Sequence, residues 1–316
     1  MNYGDLLSEA FRLAWRNRFL WLFGFFVAGG GGSFNFPANF GGQEVQNPLG
    51  PVAGPLQWIS DNLVLFLTVV ISVIVVLALI FLVLSMISQG ALAESVAALH
   101  RGETRSFGSA FRVGTANFWR VFGLKVLFFL IALGLVLVIF LPVVLGALAA
   151  FSLTDSTGLR VLAVVLGVLF VFVALIVVFL PFAIVNQFGL RELVVSRRRI
   201  TESIAGGFRL FRRNIGRSLL VWLIQLAVML GLGIALLVAL VIFGAILLGP
   251  AIALFATDHT TAGVVAAVVG GLLFLVPVFV ISGALGTFNH AYWTLAYLRL
   301  VEPPEDLGAA QPNAVA

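Results

Sequence analysis

Five uncharged apolar stretches dominate the chain, at 63–87, 126–151, 161–185, 218–257 and 260–298. Each can cross a bilayer as an α-helix, which takes about 20 residues. The fourth is longer than one crossing needs, and Gly249-Pro250 predicts the end of its helix. A sixth run, at 19–28, is short. A helix from Asn17 to Gly32 covers about 24 Å at about 1.5 Å per residue. That length crosses a thinned bilayer with Trp15 and Trp21 near one interface; the alternative is a half-membrane hairpin. The expected fold class is all-α integral membrane, with six transmembrane helices. Composition closes off other classes. Only 10% of the residues are charged, against about 25% in soluble domains. A soluble enzyme, a soluble nucleic-acid-binding domain and a disordered chain are all excluded, so no nucleic acid is expected as a partner. The absence of cysteine removes disulfides, iron–sulfur ligation and thiolate chemistry.

Charge then orients the spans. Arg12, Arg16 and Arg18, the group from Arg101 to Lys125, the group from Arg191 to Arg217, and Arg299 all fall on one side. Of the 18 basic residues only Arg160 falls on the other. The positive-inside rule makes the Arg-rich side cytoplasmic and places both termini there. The outer segments are then 30–60, 152–160 and 256–262. The glycines at 29–32 begin the first of these and read as an outer loop, not as a phosphate cradle, because no strand precedes them and no Gly-Lys-Ser/Thr follows. The Arg-flanked run at 19–28 is read as mature protein rather than a signal peptide, since acidic Asp5 and Glu9 precede it and no A-x-A site follows. The Arg side predicts anionic lipid head groups as partners and the inner (plasma) membrane as the location.

A threefold internal repeat lies beneath this pattern. Leu7-Ser-Glu-Ala-Phe-Arg-Leu with Asn17, Phe107-Gly-Ser-Ala-Phe-Arg-Val with Asn117, and Ile204-Ala-Gly-Gly-Phe-Arg-Leu with Asn214 share one frame, at offsets of 100 and 97. Ser88-Gln89, Asn186-Gln187 and Asn289-His290 share another. Each unit reads as an amphipathic cytoplasmic helix, a span out and a span back, over about 1–100, 101–198 and 199–300. Leu6, Leu7, Ala10, Phe11 and Ala14 form the apolar face of the first helix; Ile200, Ile204, Phe208, Phe211 and Ile215 form that of the third. The small residues before each Phe permit close approach to a neighbour. Asn17, Asn117 and Asn214 are expected to cap the start of each span. Residues 301–316, with three prolines, read as a disordered tail.

Few residues carry chemistry. Arg12, Arg112 and Arg209 are equivalent, and a ring of their guanidinium groups would suit a phosphate or anionic head group; the plainer reading is three separate interfacial anchors. Gln225, Asn186, Gln187, Asn289 and His290 are the polar residues available for a path through the bundle. Lys125 is close enough to the interface to snorkel. Glu94 and Glu192 are equivalent, and structural pairing with Arg112 and Arg209 is favoured over a catalytic carboxylate pair. His100, His259 and His290 are scattered, without metal-ligand spacing, and Asp258-His259 reads as a loop element. No serine has a recognisable base. No catalytic residue, cofactor or metal is expected.

The repeated small-x-small-Phe-Arg helix, with the stretch Gln89-Gly-Ala-Leu-Ala-Glu and His100-Arg-Gly-Glu-Thr-Arg-Ser-Phe107, resembles a broad group of bacterial polytopic proteins of unknown function. That group includes the membrane domain attached to some glycerophosphodiester phosphodiesterases. No metal-binding His/Glu/Asp set accompanies the resemblance here, and no soluble barrel follows Leu300, so hydrolase activity is not implied. A free-standing domain of a prokaryotic inner membrane is. The first functional reading is a non-catalytic membrane module that binds lipid or scaffolds a protein partner. The second is a transporter or channel for lipid or a small solute, and the third an intramembrane enzyme built on Glu94, Glu192 and His290.

Overall fold

The computed structural model describes residues 2–31, 62–154, 156–257 and 259–301. Among them are nine helices and no strand. In chain order these are α1 (Tyr3–Arg16), α2 (Leu20–Gly31), α3 (Leu63–His100), α4 (Phe107–Ala116), α5 (Phe118–Leu153), α6 (Thr157–Val194), α7 (Ile200–Arg213), α8 (Ile215–Ala256) and α9 (Thr260–Val301). Most of the outer loop expected at 30–60 and the tail expected at 301–316 lie outside the described residues.

Helices α3, α5, α6, α8 and α9 are long and apolar enough to cross a membrane. The chain is therefore a multi-pass membrane protein. These helices hold 36 to 42 residues each, roughly 54–63 Å at 1.5 Å per residue. A hydrocarbon layer is about 30 Å thick, so each helix outruns it. The surplus falls at the Arg-rich end, where residues 85–98 of α3, 184–194 of α6 and 286–297 of α9 are mostly buried against one another. The far halves expose Val, Leu, Ile and Phe along their length, for example Val138, Leu166, Leu237 and Leu272. Such a surface is stable only against hydrocarbon. Helix α8 continues through Pro250 to Ala256, which corrects the helix end predicted at Gly249-Pro250. Where no water is present, a broken helix leaves backbone groups unsatisfied, so continuing past the proline costs less.

Helix α2 is short, with 12 residues, or about 18 Å. It begins at Leu20, after a turn in which the Leu20 and Trp21 amides donate to the carbonyls of Asn17 and Arg18 (2.9 and 3.0 Å). It packs on α9 at backbone contact. A Cβ on Gly24, Gly283 or Gly286 would run into the facing backbone, so only glycine fits this crossing. The Thr287 hydroxyl, buried at the same place, donates to the Leu20 carbonyl at 2.9 Å. Helix α9 is central and also touches α1, α3, α6 and α8.

The three short helices dock on different partners: α4 on α3, α7 on α6, and α1 on α9. Their buried faces centre on small residues, namely Ala10 and Ala14, Ala110 and Gly114, and Ser203, Gly206 and Gly207, with Leu6 and Phe211 beside them. Gly114 abuts the Ile87 carbonyl, and Gly207 abuts Val185 and Gly189. Phe11, Phe111 and Phe208 are exposed. Close approach of the small residues turns Phe11 and Phe208 of the apolar faces outward, whereas Leu6 and Phe211 of the same faces are buried. Asn117 and Asn214 stand at the N-cap positions of α5 and α8, and Asn117 Oδ1 accepts from Arg120 at 3.2 Å. Asn17, Asn117 and Asn214 end their short helices, each amide donating to the carbonyl four residues back, of Leu13 (2.9 Å), Val113 (3.0 Å) and Leu210 (3.3 Å). At Asn117 and Asn214 no side-chain cap bond is made to the helix that follows.

Candidate functional site

A cavity of about 500 Å³ opens among the long helices where their buried ends begin. Its polar wall is Gln89 of α3, Lys125 of α5, Asn186 and Gln187 of α6, and Asn289 and His290 of α9. Helix α2 adds Val27 and Ala28, and α8 adds Met229. Six helices thus contribute to one space. Four of the five residues read from the sequence as a polar path line it together. The fifth, Gln225, stands directly behind, its amide donating to Asn289 Oδ1 (2.7 Å) while its carbonyl accepts from Trp293 Nε1 (2.9 Å). Trp293 and Tyr292 are fully buried, and Tyr292 donates to the Val221 carbonyl. This lattice holds Asn289 in place.

One cation lines this cavity and a second lies behind its wall. Lys125 turns inward and donates to Asn186 Oδ1 at 3.2 Å, which corrects the expectation that it snorkels. Arg191 lies behind Gln187 and His290 and is 0% exposed, although the sequence pattern placed it with the loop charges. Its guanidinium donates to the Gln187 side chain and carbonyl. It also reaches Thr294 Oγ1, the His290 carbonyl and His290 Nδ1, each at 3.4 Å. All of these partners are neutral acceptors. Among the described residues no carboxylate is ion-paired with Lys125 or Arg191. The two cations and His290 lie close enough to sense one another's charge. A buried cation without a counter-charge costs several kcal/mol.

The carboxylates are committed elsewhere. Glu94 pairs with Arg105 at 2.6 Å and Glu192 with Arg198 at 3.0 Å. The expected partners Arg112 and Arg209 are replaced because the nearer turns after α3 and α6 supply a guanidinium first. Glu9 of α1 bridges the ends of two long helices, meeting His100 Nδ1 at 2.7 Å and Arg299 Nη2 at 2.6 Å. Burial pushes its carboxyl up, but the hydrogen bonds and charges of Arg299 and His100 outweigh this and hold it below the ordinary value. Sequence reasoning missed this clamp, which locks α1 onto α3 and α9. Arg12, Arg112 and Arg209 are all exposed, on helices docked to different partners. His259 is exposed, and its neighbour Asp258 lies outside the described residues. No cluster of metal-ligating side chains occurs among the described residues.

The chain belongs to a family of unknown function, DUF7544, whose model matches residues 13–307. The resemblance to a family of unknown function thus stands, but nothing links it to glycerophosphodiester phosphodiesterases. No curated protein and no solved structure matches the chain.

Proposed function

We propose that the protein is a non-catalytic inner-membrane module whose cavity takes the anionic head group of a lipid. One observation carries this reading: the half-buried Lys125 ammonium lines a polar cavity that no carboxylate lines, with the buried Arg191 guanidinium behind its wall. An anion entering there meets a half-buried ammonium already held in place by Asn186. At about 4 Å and an effective dielectric of about 20, one such contact contributes about 4 kcal/mol. The exposed Arg12, Arg112 and Arg209, each beside an exposed Phe, then serve as interfacial anchors of amphipathic helices.

The architecture of this reading is six spans in three units, with both termini cytoplasmic. It is supported by the cyclic docking of α4 on α3, α7 on α6 and α1 on α9. It is supported too by the three identical Asn bonds and by the meeting of Gln89, Gln187 and His290 on one wall. Helix α2 is the first outward span, thin because its glycines seat it against α9. The same cavity would serve a transporter, which needs a second opening at the Arg160 end; solute flux into proteoliposomes separates the two readings.

The test is native mass spectrometry of the full chain in detergent, titrated with phosphatidylglycerol and with phosphatidylcholine. The wild type retains phosphatidylglycerol selectively. Lys125→Met weakens it by at least about 30-fold, equivalent to about 2 kcal/mol, half of that contact energy. The Arg12→Gln, Arg112→Gln, Arg209→Gln triple variant keeps it. Equal binding of both lipids by wild type and Lys125→Met, in protein of unchanged circular dichroism, would overturn the reading.

A further inference from the structure

Leu285 lines the polar cavity and also forms part of two apolar hollows. The larger, about 480 Å³, lies between α8 and α9. Gly233, Leu237 and Gly244 form its α8 side; Phe274, Ile281 and Ser282 form its α9 side. From Gly233 to Gly244 it runs along α8 for roughly 16 Å at 1.5 Å per residue. Half of a hydrocarbon layer of about 30 Å is about 15 Å. The hollow therefore has the depth of one leaflet, and it starts at the level of the cavity. Its floor is open at Gly233, where an added Cβ meets nothing within 4 Å. Exposed leucines and valines of α8 and α9 border it, so it faces acyl chains directly.

We infer that this α8–α9 hollow holds an acyl chain of the same molecule whose anionic head group occupies the cavity, with Leu285 at the junction. The inference rests on the cavity reading and narrows the ligand to an anionic lipid of the Arg-rich leaflet, as against a free phosphate. The two parts of the ligand are recognised by different physics. The head group meets the Lys125 ammonium, while the chain exchanges one apolar neighbour for another and gains mainly shape and confinement. Chain length, not chain hydrophobicity, is then what the hollow reads.

The experiment measures binding of three probes to the full chain in detergent: dioleoyl phosphatidylglycerol, dihexanoyl phosphatidylglycerol and inorganic phosphate. The variants are Gly233→Phe, which fills the hollow from its open floor, Ser282→Leu, which narrows it from the opposite wall, and Lys125→Met. Wild type binds the long-chain lipid at least tenfold more tightly than the short-chain one. Gly233→Phe and Ser282→Leu erase that tenfold difference and leave phosphate and short-chain binding unchanged. Lys125→Met weakens all three probes. If Lys125→Met weakens all three but both hollow variants keep the chain-length preference, the chain lies elsewhere and this inference fails while the cavity reading stands. If Lys125→Met changes nothing, the cavity reading fails and this inference falls with it.

Discussion

The glycine crossing of α2 and α9 makes a sharp prediction. In Gly24→Ala the new methyl group would stand against the Gly283 carbonyl and the Thr287 hydroxyl, and 2.6 Å from the Thr287 nitrogen. Carbon contacts settle at about 3.5 Å or more, so α2 must lift by about 1 Å. The obstacle is backbone and cannot rotate away. Overpacking of this kind costs about 1–3 kcal/mol. The lift also strains the 2.9 Å bond from Thr287 to the Leu20 carbonyl, worth about 1 kcal/mol net. Alanine returns up to about 1 kcal/mol through helix propensity. Gly134→Ala provides the reference, since nothing lies within 4 Å of its added Cβ, and it keeps the propensity gain alone. The two variants should differ by about 2–4 kcal/mol. That corresponds to a Tm gap of about 3–6 °C by the scaling for soluble domains, measured by Trp fluorescence in one detergent. Because α2 supplies Val27 and Ala28 to the cavity, Gly24→Ala should also weaken phosphatidylglycerol binding. Equal Tm values for the two variants would refute the crossing.

Three further outcomes follow from named contacts. Glu9→Gln removes two charged hydrogen bonds that tie α1 to α3 and α9 and should cost about 1–2 kcal/mol, the usual value discounted for partial exposure. The Glu9 carboxyl sits below its ordinary value when folded. The wild-type advantage is therefore complete above the free value of about 4.3 and is lost as pH falls through the lower folded value; a variant that trails equally at every pH would contradict this. Arg191→Met removes an unpaired buried charge of similar volume. Ligand-free Tm should hold or rise, while the Tm increase on adding phosphatidylglycerol disappears; a large loss of ligand-free stability would mean that the neutral acceptors alone satisfy the guanidinium. Asn17→Ala, Asn117→Ala and Asn214→Ala each remove the same bond to a carbonyl four residues back. Each should lower stability by about 1 kcal/mol, and three unequal effects would speak against equivalent roles.

How legible each part was depended on scale. Long apolar runs are a bulk property, so the five long helices could be read directly from hydropathy. The positions where those helices stop could not. Hydropathy ends a span at its first charge, whereas α3, α6 and α9 run on past the apolar layer and bury themselves against one another. That continuation hid the most informative residue. Arg191 follows Gln187-Phe-Gly-Leu and precedes a basic turn, so by sequence it joins the loop arginines. In the fold it is enclosed by Gln187, His290 and Thr294, two of which come from α9, about a hundred residues away. Lys125 was misjudged for a related reason. A lysine near a helix end can reach water along its own helix, and only the neighbouring Asn186 turns it inward. The polar residues of the repeat frame were legible as a set, because Asn and Gln are rare in apolar runs. Their convergence was not, because it depends on three helix ends meeting. The Phe-Arg motif reads as an interfacial anchor. It is the most visible repeat in the chain, yet it points outward in all three helices. The packing rests on the small residues just before each Phe, Ala10, Ala110 and Gly207, the positions whose size permits close approach. A repeat that a membrane surface selects is rich in large, charged letters, whereas one that a helix crossing selects is written in small ones. The residues most visible in such a sequence therefore report on the lipid interface, and the site has to be sought among the quieter positions between them.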